Sequence, residues 1–303
     1  MEYILNSLIP IFSLILLGYF FKQIAFPAGD FWPLADKFTY YALMPSLLVY
    51  KLAVAKVALL SSLNLVATAF VAIFIVLLSL MVLNYFVKFD NRSFTSIAQG
   101  GIRFNSYVFL AFVDSVYGDK GLVLAAILMA FVIPLINVLC ISVFAIYTRH
   151  GNFSFRAFFK TIVKNPLIGA CVIGGLINFS GVALPLSVIK SLSILSSAAL
   201  PIGLLSVGVG LELKYLRHAK KELFVSTFAK LFYFPLVIYG VGLLLGLDGQ
   251  MLAISVIFGA MPTAISGYIL ARELGGDVSL MASIITLQTL ACMGSLFFIV
   301  PLL

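Results

Sequence analysis

Apolar runs of about twenty residues recur along the chain, each closed by a short polar or glycine-rich break, which is the spacing of helices that cross a bilayer. Ten can be marked, over residues 3–21, 33–54, 62–87, 94–116, 122–147, 166–181, 187–211, 223–246, 250–271 and 278–302. They use most of the 303 residues and leave no stretch between them long enough for a soluble domain. The pattern predicts an all-α integral membrane protein with ten transmembrane helices.

Two of the runs are interrupted. Residues 259–268 read GAMPTAISGY, where Pro262 lacks a backbone donor and clashes with the preceding turn, and Gly259 and Gly267 loosen the helix on either side. Residues 103–107 read RFNSY and place Asn105 at the same point of the fourth run. Lipid offers no hydrogen bonds, so broken backbone at this depth is tolerated only where it is buried in protein or lines a cavity.

The two interruptions are related by a repeat. A shift of 158 carries Asp90 onto Asp248, Gly118 onto Gly276 and Asp119 onto Asp277, and a shift of 156 carries Pro10 onto Pro166 and Pro45 onto Pro201. The chain therefore divides into a five-helix repeat over 1–147, a short linker over 148–165 and a second five-helix repeat over 166–303. An odd number of helices inverts the second copy in the membrane, an arrangement typical of transporters. The shift of 158 sets Pro262 and Thr263 over Phe104 and Asn105.

Composition narrows the choice. The chain is 63% hydrophobic and only 10% charged, which excludes a water-soluble protein. The net charge of +8 is scattered over short loops without an aromatic-interleaved groove, so nucleic acid is not an expected partner. Taken loop by loop, one side holds 13 basic residues, namely Lys22, Lys37, Lys88, Arg92, Arg149, Arg156, Lys160, Lys164, Lys214, Arg217, Lys220, Lys221 and Arg272. The other holds 4, Lys51, Lys56, Lys120 and Lys190. The richer side is expected in the cytoplasm, with both termini periplasmic. Glu2 stands where a signal peptide is basic, so the first run reads as a retained helix. Cys140, Cys171 and Cys292 fall inside apolar runs without CxxC spacing and read as core. His150 and His218 read as solvated loop residues, and no metal or cofactor is expected.

The start of each second half-helix carries roughly half a positive charge, and two such ends meeting at mid-membrane favour an anion. The candidate binding residues are Asn105, Ser106, Pro262, Thr263, Ala264 and Ser266, with Arg103 beside them. Arg103 lies about 13 Å into its helix at 1.5 Å per residue, where a charge needs a partner. A substrate carboxylate and helix C-terminal carbonyls are both open as that partner. Asp114, Asp119 and Asp277 read as solvated or capping residues near helix ends, Lys230 reads as snorkelling to the cytoplasmic face, and no carboxylate is expected near the midplane.

On LGYFFKQIAF and FWPLADKFTYYALMPSLL near the start, RFN, KNPLI, ALPIGLLSVGVGL and AMPTAISGYILARELGGD, the chain resembles the auxin efflux carrier family nearly end to end. That family includes plant auxin carriers and bacterial carriers of small carboxylates such as malonate and malate. The resemblance implies two inverted five-helix repeats, a dimerising scaffold of helices 1, 2, 6 and 7, and a transport domain of helices 3–5 and 8–10. That domain slides as an elevator and holds substrate at crossovers in helices 4 and 9. Asn105 and Pro262 take the positions of the family's crossover asparagine and proline. Phe104 stands where plant carriers have a proline, and Leu110 and Phe112 stand where a glycine and a proline are common, so the first break is expected to depend on Gly100 and Gly101. The linker lacks the long hydrophilic insert of plant carriers, as in a compact member of the bacterial inner membrane.

The expected function is secondary transport of a small organic anion, a mono- or dicarboxylate, with proton or sodium as the coupling ion and the chain as a homodimer in the lipid bilayer. A sodium-coupled carrier similar to bile-acid symporters is the alternative. A membrane-embedded enzyme would cluster His, Asp, Glu or Cys at one depth, and a sensor would carry a soluble output domain; neither pattern is present in these residues.

Overall fold

The computed structural model describes residues 2–55, 63–148, 163, 165–182, 184–217 and 220–302. The expectations for Lys56, Arg149, His150, Arg156, Lys160, Lys164 and His218, and for most of the 148–165 linker, lie outside the described residues.

Every described element is helical. The first apolar run is α1 (Glu2–Gln23) and the second is α2 (Phe31–Phe38), a π-helical turn at Thr39–Leu43 and α3 (Met44–Ala53). The third run is α4 (Leu63–Val87), and the fourth starts as α5 (Asn91–Ile102). After a break at residues 103–105, α6 (Ser106–Tyr147) completes the fourth run and contains the fifth. Its 42 residues would reach about 63 Å if straight, twice the hydrocarbon thickness. The chain turns back instead at Gly118, whose φ of 58° and ψ of −154° only glycine adopts without strain.

In the second half, α7 (Pro166–Ser180) opens on Asn165, whose carboxamide oxygen accepts from the Leu167 and Ile168 N–H groups, with proline at the first helical position. The seventh run is α8 (Leu186–Ser197) with α9 (Ala199–Val209), and the eighth is α10 (Lys220–Phe228), a π-helical turn at Ala229–Tyr233 and α11 (Phe234–Leu244). The ninth is α12 (Gly249–Ala260), a break, and α13 (Ser266–Glu273); the tenth is α14 (Val278–Ile299). Among the described residues, six segments are long and apolar enough to span a membrane, and Pro166–Ser180 and Gly249–Ala260 are shorter apolar helices. The large apolar side chains that stay exposed, among them Leu16, Phe20, Leu78, Phe86, Phe179 and Leu244, face where lipid lies. The chain is an integral membrane protein.

Two packing groups organise these helices. The α1 helix lies along α9, and α3 lies between α7 and α8; separately, α11 packs on α4 and α12, and α10 packs on α5. The α1–α9 contact is backbone against backbone: a Cβ on Gly18 would sit 2.0 Å from the Leu205 carbonyl oxygen, and one on Gly208 1.8 Å from that of Ile15. Gly208→Ala is therefore expected to prise the two helices apart, at about 1–3 kcal/mol. The check is the thermal midpoint of purified protein, with Gly175→Ala, which meets open space, as the neutral comparison. Lys22 closes one end of this pair by donating to the Leu211 carbonyl at 2.6 Å and to Glu212 at 2.8 Å. Partial burial raises the Glu212 carboxyl, but Lys22 and Lys214 outweigh it and hold the group below its ordinary range.

Two expectations are corrected here. Lys230 does not snorkel: it is 0% exposed, lies in the π turn and stands with its Nζ over the rings of Phe234 of α11 and Phe258 of α12 rather than at an end of the helix. Gly100 and Gly101 do not form the first break either. Both are helical residues of α5, and their lack of a side chain is used for close approach: a Cβ would meet Ser226 Oγ at 2.2 Å from Gly100 and Leu80 Cδ1 at 2.5 Å from Gly101.

Candidate functional site

The two breaks are built alike on their first side. The α5 and α12 helices are each 12 residues long, and both boundaries of one fall on those of the other at the shift of 158. Each runs out into extended backbone, at Arg103 with φ −71° and ψ 156° and at Met261 with φ −69° and ψ 143°. On the far side they differ: one helix resumes after three residues, at Ser106, and the other after five, at Ser266. The breaks cross each other in space. Asn105 donates its backbone N–H to the Pro262 carbonyl at 2.7 Å, so a carbonyl freed by one break satisfies an amide freed by the other.

Asn105 is 3% exposed, and its carboxamide oxygen caps α6 by accepting from the Tyr107 and Val108 N–H groups at 3.0 and 3.2 Å. The N–H groups of Ser106 at one helix start and of Ala264, Ile265 and Ser266 at the other meet no protein acceptor among the described residues. Ser106, Ala264 and Ser266 all lie on the wall shared by two cavities of about 390 and 400 Å³. Tyr40, Leu167 and Ile269 complete that shared wall. One cavity reaches Arg103, Asn137 and Glu273; the other reaches Asn105, Tyr107, Asp36 and Lys37.

Arg103 is 7% exposed and ties the two breaks together. Its Nη1 donates to Ser266 Oγ at 3.0 Å and its Nη2 to Asn137 Oδ1 at 2.9 Å, while its Nε has no partner. Among the described residues no carboxylate pairs with it. Neutral side chains, Ser266 and Asn137 with the Cys140 thiol beside them, hold the guanidinium at the cavity.

Pro262 and Thr263 sit differently from the other candidates. Thr263 is fully buried, donates its N–H to Gln288 Oε1 at 2.9 Å, and lines neither cavity. Gln288 also donates through Nε2 to the carbonyls of Gly100 at 3.0 Å and Ser226 at 3.2 Å, so one α14 side chain clamps α5, α10 and the second break. Gly259 and Gly267 allow close packing, with a Cβ meeting Pro235 at 3.2 Å and Met281 Cε at 2.6 Å respectively. Asp277 caps α14 by accepting from the Leu280 N–H, as its place near a helix end suggested.

Sequence reasoning missed Tyr40, Asn137, Gln288 and the acids Asp36 and Glu273 at the cavities. A signal existed for Asn137 and Gln288, since each is a lone carboxamide deep in an apolar run and needs a partner there. Tyr40 lies in the π turn of the second run, which no residue pattern announces.

Residues 152–300 match the family pattern described as membrane transport protein. An uncharacterized transporter of Methanothermobacter thermautotrophicus is 30% identical over 138 residues, 45% of either chain. The uncharacterized transporter YfdV of Escherichia coli K12 is 28% identical over 187 residues, 58% of either chain. The chain spans about half the length of the curated relatives it matches.

Proposed function

We propose, on the match of residues 152–300 to the membrane transport protein pattern and on the resemblance to the auxin efflux carriers, that the chain is a secondary carrier of a small organic anion, a mono- or dicarboxylate, bound where the two broken helices cross. The observation that carries this reading is that Ser106, Ala264 and Ser266, residues at two helix starts whose N–H groups meet no protein acceptor, line the wall shared by two cavities, one of which also reaches an Arg103 guanidinium with no carboxylate partner among the described residues. Helix starts and arginine both favour an anion, and the remaining lining, with Phe104, Ile133, Ile136, Ile141 and Leu167, suits a small apolar body behind a carboxylate.

The finer architecture in this reading is ten spans in two inverted repeats. The matched 12-residue half-helices support the repeat, and the packing of α1 on α9 and of α3 on α7 and α8 supports a scaffold separate from the helices that carry the crossovers. The cavities reach Lys37 and Glu273, both assigned by the distribution of basic residues to the cytoplasmic side, so the site opens inward in this conformation. Sliding of the crossover-bearing helices against the scaffold would expose it on the other face, and the scaffold supplies the surface for a homodimer.

The test is uptake into proteoliposomes of labelled acetate, malonate, malate and benzoate, with pH and sodium gradients imposed separately. Accumulation of at least one above protein-free vesicles is expected. Uptake of none of them, alongside uptake of an organic cation or neutral solute, would overturn the reading.

A further inference from the structure

Lys230 is the one intramembrane lysine whose side chain is fully enclosed among the described residues, and the crossover does not use it directly. It lies in the π turn of the eighth run, a distortion that recurs at functional positions in helices. Its Nζ has no hydrogen-bond acceptor. Instead it stands over two ring faces, 4.3 Å from the centroid of Phe234 and 5.4 Å from that of Phe258. Phe258 belongs to the last turn of α12, and its ring packs 4.8 Å from that of Phe104, the residue between Arg103 and Asn105. One ring therefore separates the lysine from the crossover.

The elements packed on this turn are its own flanking helices and α5, α12 and α14, with α4 reached through the hydrogen bond between Tyr233 and Ser79. Of these, α14 presents Cys292, whose thiol is bonded to the Ala260 carbonyl at 3.5 Å. The α12 helix has no charged residue, α5 carries Arg92 at its start and is followed by Arg103, α4 has Tyr85 but no charged residue, and Tyr233, Tyr239 of α11 and the charged start of α10 (Lys220, Lys221 and Glu222) complete the set. Among the described residues no carboxylate pairs with the amine, so an ammonium here would be desolvated with only ring faces and the carbonyl end of α12 to favour it.

We infer that Lys230 is the proton-binding group of the carrier, its amine neutral while the crossover is empty and protonated when an anion fills it. The inference rests on the anion site proposed above. An empty crossover presents Arg103 and two positive helix starts beyond the Phe258 ring, which adds repulsion to the burial cost of the ammonium. A bound carboxylate cancels that positive field. The Nζ lone pair then takes a proton from hydronium, releasing water, and the anion and the proton travel in one occupied transport domain. By linkage, anion affinity rises as pH falls.

The test has two arms. The first needs no ligand: thermal midpoints of wild type and Lys230→Met in detergent from pH 6 to pH 10. A lysine neutral in the folded protein and charged in the unfolded chain makes stability rise with pH, because the unfolded state binds more protons. Lys230→Met is then expected to melt several degrees above wild type near pH 6, with the gain shrinking toward pH 10. A variant that melts lower at every pH, fails to fold or shows a pH-independent difference overturns the inference. The second arm is pH-gradient-driven accumulation of labelled malonate, acetate or benzoate in proteoliposomes. Lys230→Met is expected to reduce it at least tenfold, and accumulation equal to wild type overturns the inference. If wild type accumulates none of the three, the anion reading of the crossover is what fails, and the melting arm alone decides the lysine.

Discussion

Asn105→Asp is expected to leave the protein folded and to reduce anion transport by about a hundredfold or more. The aspartate keeps an oxygen for the Tyr107 and Val108 N–H groups, now at 3.0 and 3.2 Å from Asn105, and a negative charge at the start of α6 suits the helix dipole. The same charge sits on the wall of the cavity that would receive the substrate, and like charges brought together in a closed site cost several kcal/mol. Asn105→Ala makes the opposite change. It removes the cap at about 1 kcal/mol of stability but adds no repulsion, so transport should fall far less than in the aspartate variant. Thermal midpoints together with initial uptake rates separate the two; equal uptake by Asn105→Asp and wild type would remove Asn105 from the site.

Gln288→Leu is expected to do the largest damage to the fold of the crossover. The carboxamide is fully buried and holds three main-chain groups, the Thr263 N–H and the carbonyls of Gly100 and Ser226. Leucine matches its size but leaves the Thr263 amide and the Gly100 carbonyl without these bonds, at about 1–3 kcal/mol for each buried group left unsatisfied. A fall of many degrees in the melting midpoint should follow, with transport lost in whatever folds. Gln288→Glu retains an acceptor for Thr263 and should be milder than leucine if held protonated. A leucine variant as stable as wild type would mean that the clamp contributes nothing.

The apolar helices, six of them among the described residues long enough to span, were legible in the sequence because lipid imposes one demand on every residue facing it, and apolar runs record that demand directly. The two half-helices α5 and α12 were legible to the residue, since their boundaries coincide at the same shift that pairs Asp90 with Asp248. The crossing itself was half legible. Proline and asparagine marked the two breaks, but their contact runs through the Asn105 N–H and the Pro262 carbonyl, groups that every non-proline residue and every residue, respectively, possesses. What could not be read was the fate of long side chains. A lysine in an apolar run is ordinarily expected to reach an end of its helix, whereas Lys230, in the π turn at Ala229–Tyr233, is enclosed against the rings of Phe234 and Phe258. Arg103 was legible as a charge that needs partners, yet those partners, Ser266 and Asn137, come from different helices and only the packing of α6 and α13 brings them together. Gly100 and Gly101 illustrate the same gap: their composition suggested a loosened helix, and their neighbours Ser226 and Leu80 give them a packing role instead.

Occupation of the crossover by an anion can be read directly at Ser106, which lines both cavities and lies at the start of α6. In a chain with Cys140, Cys171 and Cys292 replaced by alanine, Ser106→Cys offers one thiol to a water-soluble thiosulfonate reagent, and its modification rate is followed by mass spectrometry. Malonate or benzoate at saturating concentration is expected to slow that rate at least tenfold, while the matching neutral amides at equal concentration leave it unchanged. Identical rates with every carboxylate of the panel and with none would contradict an anion site where the two broken helices meet.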